Sequence, residues 1–183
     1  MSRRAVFLDR DGTINVEKSY LYRLKDWEWI PGAIDAIRNL NHAGYLVIVV
    51  TNQAGIARGM YGEEDVRRLH EQIDAMLASL DAHIDAYYYC PHHPDFGART
   101  ACSCRKPSPG MILQASRDWD IDLPHSYIVG DKLADVEAGL AAGVTPILVS
   151  TGYGAESRSA LASGVHWVTD VGAAARLILG ADN

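Results

Sequence analysis

After a short basic start the chain runs through four apolar residues, Ala5-Val6-Phe7-Leu8, and then breaks into Asp9-Arg10-Asp11-Gly12-Thr13. An apolar run without alternation predicts a short strand buried on both faces. Similar runs return at 45–50, 84–89, 127–129 and 145–149, with a shorter one at 165–168. Between them, apolar residues recur at helical spacing. Ile34, Ile37 and Leu40 mark a helix over 33–43 that opens on Pro31-Gly32 and stops at Gly44. Val66, Leu69, Ile73, Met76, Leu77 and Leu80 mark another over 63–80, and helices over 109–119, 133–142 and 171–179 complete the series. Strand and helix alternate from end to end, which predicts an α/β fold: a doubly wound, Rossmann-like parallel sheet with helices on both faces. Two stretches stand outside this rhythm. One, about 14–30, is polar and aromatic (Tyr20, Tyr22, Trp27, Trp29) and suggests a flap or hairpin over the end of the first strand. The other, about 90–107, is irregular and holds every cysteine of the chain.

A length of 183 residues suits one domain over the whole chain. A net charge of -6 argues against a nucleic-acid partner, for which a basic face would be expected. No apolar run reaches membrane-spanning length, and the start leads straight into the first strand, leaving no room for a signal peptide. The expectation is a cytoplasmic enzyme without a membrane partner. With no extensive apolar face in view, it is expected to be a monomer.

Three polar clusters fall at strand ends: 9–13, 51–53 and 130–135. In open α/β sheets the ligand crevice lies beyond those ends, so the clusters point to one shared site. Side chains at i and i+2 of an extended chain face the same way, which would aim Asp9 and Asp11 into one volume. Two such carboxylates repel strongly in a poorly solvated site unless a cation sits between them or one is protonated, and Mg2+ is the preferred choice of cation. The plainer alternative is a strand ending in a solvated acidic turn.

Phosphoryl transfer fits the full set, because it needs in-line placement and positive charge around the migrating group. Asp9 would attack phosphorus, and Asp11 would protonate the leaving oxygen and later deprotonate water. Asp9, Asp131 and the Asp11 backbone carbonyl would hold Mg2+. The Thr51 hydroxyl would bind phosphate oxygens, while Lys106 or Lys132 neutralises charge. Asp135, four residues beyond Asp131, would orient Lys132, serve as a supporting acid or favour a helix N-terminus.

These residues resemble the four motifs of the haloacid dehalogenase-like phosphatases: Asp9-Arg10-Asp11-Gly12-Thr13, Thr51-Asn52, Lys106 in Cys104-Arg105-Lys106-Pro107, and Gly130-Asp131-Lys132-Leu133-Ala134-Asp135. All four occur in order and span nearly the whole chain.

Cys90-Pro91-His92-His93-Pro94 and Cys102-Ser103-Cys104 offer three thiolates and an imidazole, the donor set of a closed and therefore structural Zn2+ site. Such a clip would order a loop that has no core and fix Arg105 and Lys106 beside it. Spacing and resemblance favour His92 over His93. Within the superfamily this loop resembles those of the heptose bisphosphate phosphatases and the histidinol-phosphate phosphatases, groups without a large cap domain. Residues 51–61, Thr13-Ile14-Asn15-Val16 and Gly130-Asp131-Lys132-Leu133 look more like the former.

That resemblance implies loss of the carbon-7 phosphate of D-glycero-D-manno-heptose 1,7-bisphosphate, a small phosphorylated sugar, on the way to activated heptose. It assigns substrate contacts to Glu17, Lys18, Ser19 and Tyr20 in the flap, to Asn52, Gln53 and Ala54, and to Arg105 and Lys132. Arg105 would grip the phosphate that stays behind. Arg58 reads as a helix-start or surface residue. The alternatives are a histidinol-phosphate phosphatase on the same machinery and a zinc-organised interaction module without catalysis.

Overall fold

In the computed structural model, which describes residues 2–181, six parallel strands form one sheet in the order β3-β2-β1-β4-β5-β6. They are β1 (Ala5–Leu8), β2 (Leu46–Asn52), β3 (Ala86–Cys90), β4 (Tyr127–Gly130), β5 (Thr145–Val149) and β6 (His166–Val168). The helices are α1 (Ala33–His42), α2 (Ala54–Ala57), α3 (Glu63–Ala78), α4 (Gly110–Trp119), α5 (Leu133–Ala142), α6 (Gly154–Ser157) and α7 (Val171–Gly180). The apolar runs are explained by burial on both faces. Val6, Leu8, Val47 and Val49 pack with residues of α1, α3 and α7, whereas Ala5, Phe7, Leu46, Ile48 and Val50 pack with Met111 and Ile112 of α4 and Ala138 of α5.

The winding reverses between β1 and β4, and in such a sheet a crevice opens at that switch point, beyond the carboxyl ends of the strands. The Asp9 N–H donates to the Val129 carbonyl at 2.9 Å, which brings the ends of these two strands side by side. The helices α2 and α6 were not anticipated, because four residues are too few to show an apolar stripe.

The segment over 14–30 is a flap rather than a regular hairpin. It is pinned by single bridges, Asp11 to Asn15 and Asn15 to Trp29, and holds one 3-10 turn at Leu24–Asp26. Ile14, Leu21 and Ile30 bury into the core and anchor it, while Ser19 and Tyr20 at its tip adopt left-handed φ of 48° and 56°. Among the described residues no helix is long and apolar enough to cross a membrane.

Candidate active site

The ends of β1 and β4 and the first turn of α5 bring three buried carboxylates together. Asp9, Asp131 and Asp135 each offer an oxygen, and these atoms lie within 4.8 Å of one another. Lys106, almost fully buried, reaches in from the cysteine loop. Its Nζ donates to Asp9 Oδ1 at 2.8 Å and to the Val50 carbonyl at 2.7 Å, and lies 2.6 Å from Asp135 Oδ1. Burial alone would lower the Lys106 ammonium, but the Asp135 and Asp9 charges outweigh it and hold it above its ordinary value.

Burial, reinforced by Asp9, pushes the Asp131 carboxyl up to about 8. Its Oδ2 accepts from the Tyr153 N–H at 2.8 Å, and its Oδ1 is buried without a hydrogen-bond partner. A Cβ at Gly12 or Gly152 would overlap this carboxylate, and both glycines have positive φ, 87° and 57°. An unpartnered buried oxygen amid two further carboxylates fits a hard dication such as Mg2+.

Two expectations need correction. Asp9 and Asp11 do face one cleft, but the Asp11 carboxylate lies outside this three-acid cluster, because both residues lie beyond β1, which ends at Leu8. Its place is taken by Asp135, which accepts from the Lys132 N–H at 3.0 Å and pairs with Lys106. Lys18 is absent from the cleft lining and pairs instead with Glu28 at 2.8 Å.

The remaining candidates do meet. A cleft of about 340 Å³ is lined by Asp9, Asp11 and Lys106 at its base, with Glu17, Ser19 and Tyr20 from the flap. Thr51, Asn52, Gln53 and Ala54 contribute from the end of β2, and Arg105 and Lys132 complete the wall. Some of these side chains serve as braces. The Asn52 amide donates to the Lys106 carbonyl and accepts from its N–H, both at 3.0 Å. Arg105 Nη1 donates to the His92 carbonyl at 3.1 Å. Lys132 Nζ lies 3.8 Å from Glu17 and 4.7 Å from the Tyr153 ring centre.

Tyr61 and Tyr153 also line the cleft and went unrecognised in the sequence. Tyr153 follows β5, so the rule that sites gather at strand ends could have found it; Tyr61, in an irregular loop, carries no periodic signal. Arg58 sits at the C-cap of α2 and stacks on Phe96, 3.9 Å from the ring centre, with Tyr20 at 5.7 Å.

Behind Asp11, Gln53 Nε2 donates to Asp11 Oδ2 (3.2 Å) and Thr51 Oγ1 (2.9 Å), and its Oε1 accepts from the Tyr61 hydroxyl at 2.6 Å. His70 stacks on Tyr87 nearby, and burial, aided by Arg10, lowers it from 6.5 to about 3. A neutral native imidazole that ionises on unfolding contributes stability above its unfolded value, and that contribution is lost as pH falls from about 6.5 towards 3. From about pH 7 to about pH 5 the wild-type chain should lose about 2 kcal/mol more than His70→Phe. Denaturant midpoints at the two pH values check this, and equal losses in both proteins would remove His70 as the source.

The thiols form a second cluster. Cys90, His92, Cys102 and Cys104 present ligand atoms within 4.8 Å of one another, with Cys90 Sγ to Cys102 Sγ at 3.6 Å and His92 Nδ1 to Cys104 Sγ at 3.3 Å. A tetrahedral Zn2+ site needs sulfurs about 3.8 Å apart; Cys90 and Cys102 meet this, Cys104 Sγ at 2.9 Å from Cys90 Sγ would have to move outward, and the donor set fits by its chemistry. His93 is not in the cluster: its ring meets Phe96 at a tilt of 55° and it accepts from the Asp95 N–H.

A family described as HAD-hyrolase-like matches residues 103–175. Together with the sheet order and the acid–lysine cluster, this match defines a hydrolase of the haloacid dehalogenase-like class. The D-glycero-beta-D-manno-heptose-1,7-bisphosphate 7-phosphatases of Yersinia pestis and Escherichia coli K12 are 48% and 50% identical over 152 residues, covering 81% of this chain and 81% and 80% of theirs. The solved D,D-heptose 1,7-bisphosphate phosphatase of B. bronchiseptica superposes with a TM-score of 0.89 at 35% identity, covering 97% of this chain and 99% of that one. The chain belongs to this family of phosphatases.

Proposed function

We propose that the chain removes the phosphate at carbon 7 of D-glycero-β-D-manno-heptose 1,7-bisphosphate, in the cytoplasm, to supply a nucleotide-activated heptose. The observation that carries this reading is the buried contact of Lys106 with Asp9 at the foot of a cleft walled by Arg105 and Lys132. The names of the relatives supply the sugar and its β anomer.

Asp9 attacks phosphorus, the bond from phosphorus to the sugar oxygen breaks, and that oxygen takes its proton from the Asp11 carboxyl. Water then attacks the same phosphorus, the aspartyl oxygen departs, and Asp11 takes back a proton from the water. Lys106, Lys132 and the Thr51 hydroxyl hold the phosphoryl oxygens. Arg105 grips the phosphate at carbon 1, for which its planar fork is suited. Glu17, Ser19 and Tyr20 meet the sugar from the flap, opposite Asn52, Gln53 and Ala54.

The B. bronchiseptica relative was solved with magnesium and phosphate. In this chain Asp9, Asp131 and the Asp11 backbone carbonyl would hold Mg2+. When bound, Mg2+ supplies positive charge to the phosphoryl group and offsets the repulsion among the acids. Zn2+ on Cys90, His92, Cys102 and Cys104 would clip the loop that carries Arg105 and Lys106.

The decisive experiment compares phosphate release from the β and α heptose bisphosphates and from histidinol phosphate. We expect kcat/KM to favour the β bisphosphate over the α by about tenfold or more. A preference for histidinol phosphate would overturn the reading.

A further inference from the structure

Among the described residues, Arg10 is the bulkiest side chain that is fully buried. A guanidinium without water must find protein acceptors for its donors. Nε donates to Asp11 Oδ2 at 3.1 Å, and Nη2 donates to Asp11 Oδ1 at 3.3 Å. Nη2 also donates to the Leu21 carbonyl at 2.7 Å and lies 3.4 Å from Gln53 Oε1. Nη1 lies 3.4 Å from His70 Nε2, which must be the acceptor because arginine has no lone pair to offer. Asp11 receives two more donors, Asn15 Nδ2 at 3.0 Å and Gln53 Nε2 at 3.2 Å. Asp11 itself is partly exposed and lines the cleft.

A carboxylate that met only water on this side would sample several rotamers. Here a planar fork grips both of its oxygens, and the fork is itself fixed from three other directions. One of these is the backbone of the flap at Leu21, adjacent to the tip that lines the cleft.

We propose that Arg10 is a positioning residue that sets the Asp11 carboxyl for proton transfer and ties that setting to the place of the flap. The inference rests on the proposed role of Asp11 as the acid. Arg10 is fully buried and absent from the cleft lining, so it acts through Asp11. When Asp11 is misplaced, the bond from phosphorus to the leaving oxygen still breaks, but the departing oxygen leaves without its proton. The damage therefore grows with the basicity of the leaving group.

The test uses the full chain and a series of phosphate monoesters from 4-nitrophenyl through phenyl to an alkyl phosphate. It therefore does not depend on the heptose being the natural substrate. The measure is kcat/KM, which reports the steps through formation of the phosphoenzyme. For Arg10→Met we expect a loss of about a hundredfold or more on phenyl phosphate and less than about threefold on 4-nitrophenyl phosphate. Arg10→Lys keeps the buried charge but lacks the fork, so it should show the same steepened dependence even if the methionine variant folds poorly. Asp11→Asn is measured alongside as the reference for a missing acid.

Equal losses across the series, or none, in both Arg10 variants overturn the proposal. A steep series in Asp11→Asn with a flat one in Arg10→Lys also overturns it. A flat series in Asp11→Asn removes the acid role itself and the proposal with it. A clear preference for histidinol phosphate, by contrast, would overturn the substrate and leave this inference standing.

Discussion

Asp9→Asn should lower kcat by at least about 10⁴-fold while the protein remains folded. The substitution keeps the shape of the side chain and an oxygen that can accept from Lys106, so the 2.8 Å contact survives in weaker form. What disappears is the proposed nucleophile. The carboxylate pair also loses one charge. Because Asp9 reinforces the burial that raises Asp131, the Asp131 carboxyl should move back towards its ordinary value. The expected combination is unmeasurable phosphate release, a thermal midpoint no lower than wild type, and no acid-stable phosphate left on the protein after a quench. Activity above a few per cent of wild type would mean that another group attacks phosphorus. A collapsed fold would instead mark Asp9 as structural.

Removal of zinc is expected to produce the other large effect. Cys90 lies at the end of β3 while Cys102 and Cys104 lie in the loop, so the cluster joins the loop to the sheet. Burial raises the Cys90 and Cys104 thiols, whereas hydrogen bonds, that of the Arg105 N–H first, outweigh burial and lower Cys102 to about 6, so without a cation the cluster favours one thiolate rather than three. Chelation should open residues 91–105 to protease while the sheet resists, and phosphate release should fall by about tenfold to a hundredfold. Restored Zn2+ should reverse both. The loss is expected to be partial, since the Asn52 amide grips the Lys106 backbone independently of the metal. Unchanged cleavage after demetallation would rule out the clip.

The parts of the fold legible in the sequence are those where burial is two-sided. A strand such as Val47–Val50 cannot carry a polar residue on either face, and its apolar run says so. The acids at the strand ends were legible for the converse reason, since polar residues directly after such runs have few structural uses. That Asp11 stays apart from the three-acid cluster was not, because Asp9 and Asp11 both lie beyond β1 and the i, i+2 rule holds only in an extended strand. Nor was the fate of Arg10: an arginine in a polar motif reads as solvated, and only the tertiary fold reveals acceptors from Leu21, Gln53 and His70 around it. Lys18 was misplaced because charge alone cannot tell which side of a flap faces inward. Tyr61 and Gln53 belong to one hydrogen-bonded unit whose members sit in irregular segments, where no period exists to read.

The hydrogen bond from the Tyr153 amide to Asp131 has a consequence for biosynthesis. Asp9 emerges from the ribosome before the rest of the centre, its lysine partner 97 residues later, and the backbone that steadies Asp131 later still, beyond β5. A nascent chain halted before that point would therefore be inert however well its early strands had paired. Completion of the centre thus waits on the segment beyond β5 rather than on the pairing of the early strands.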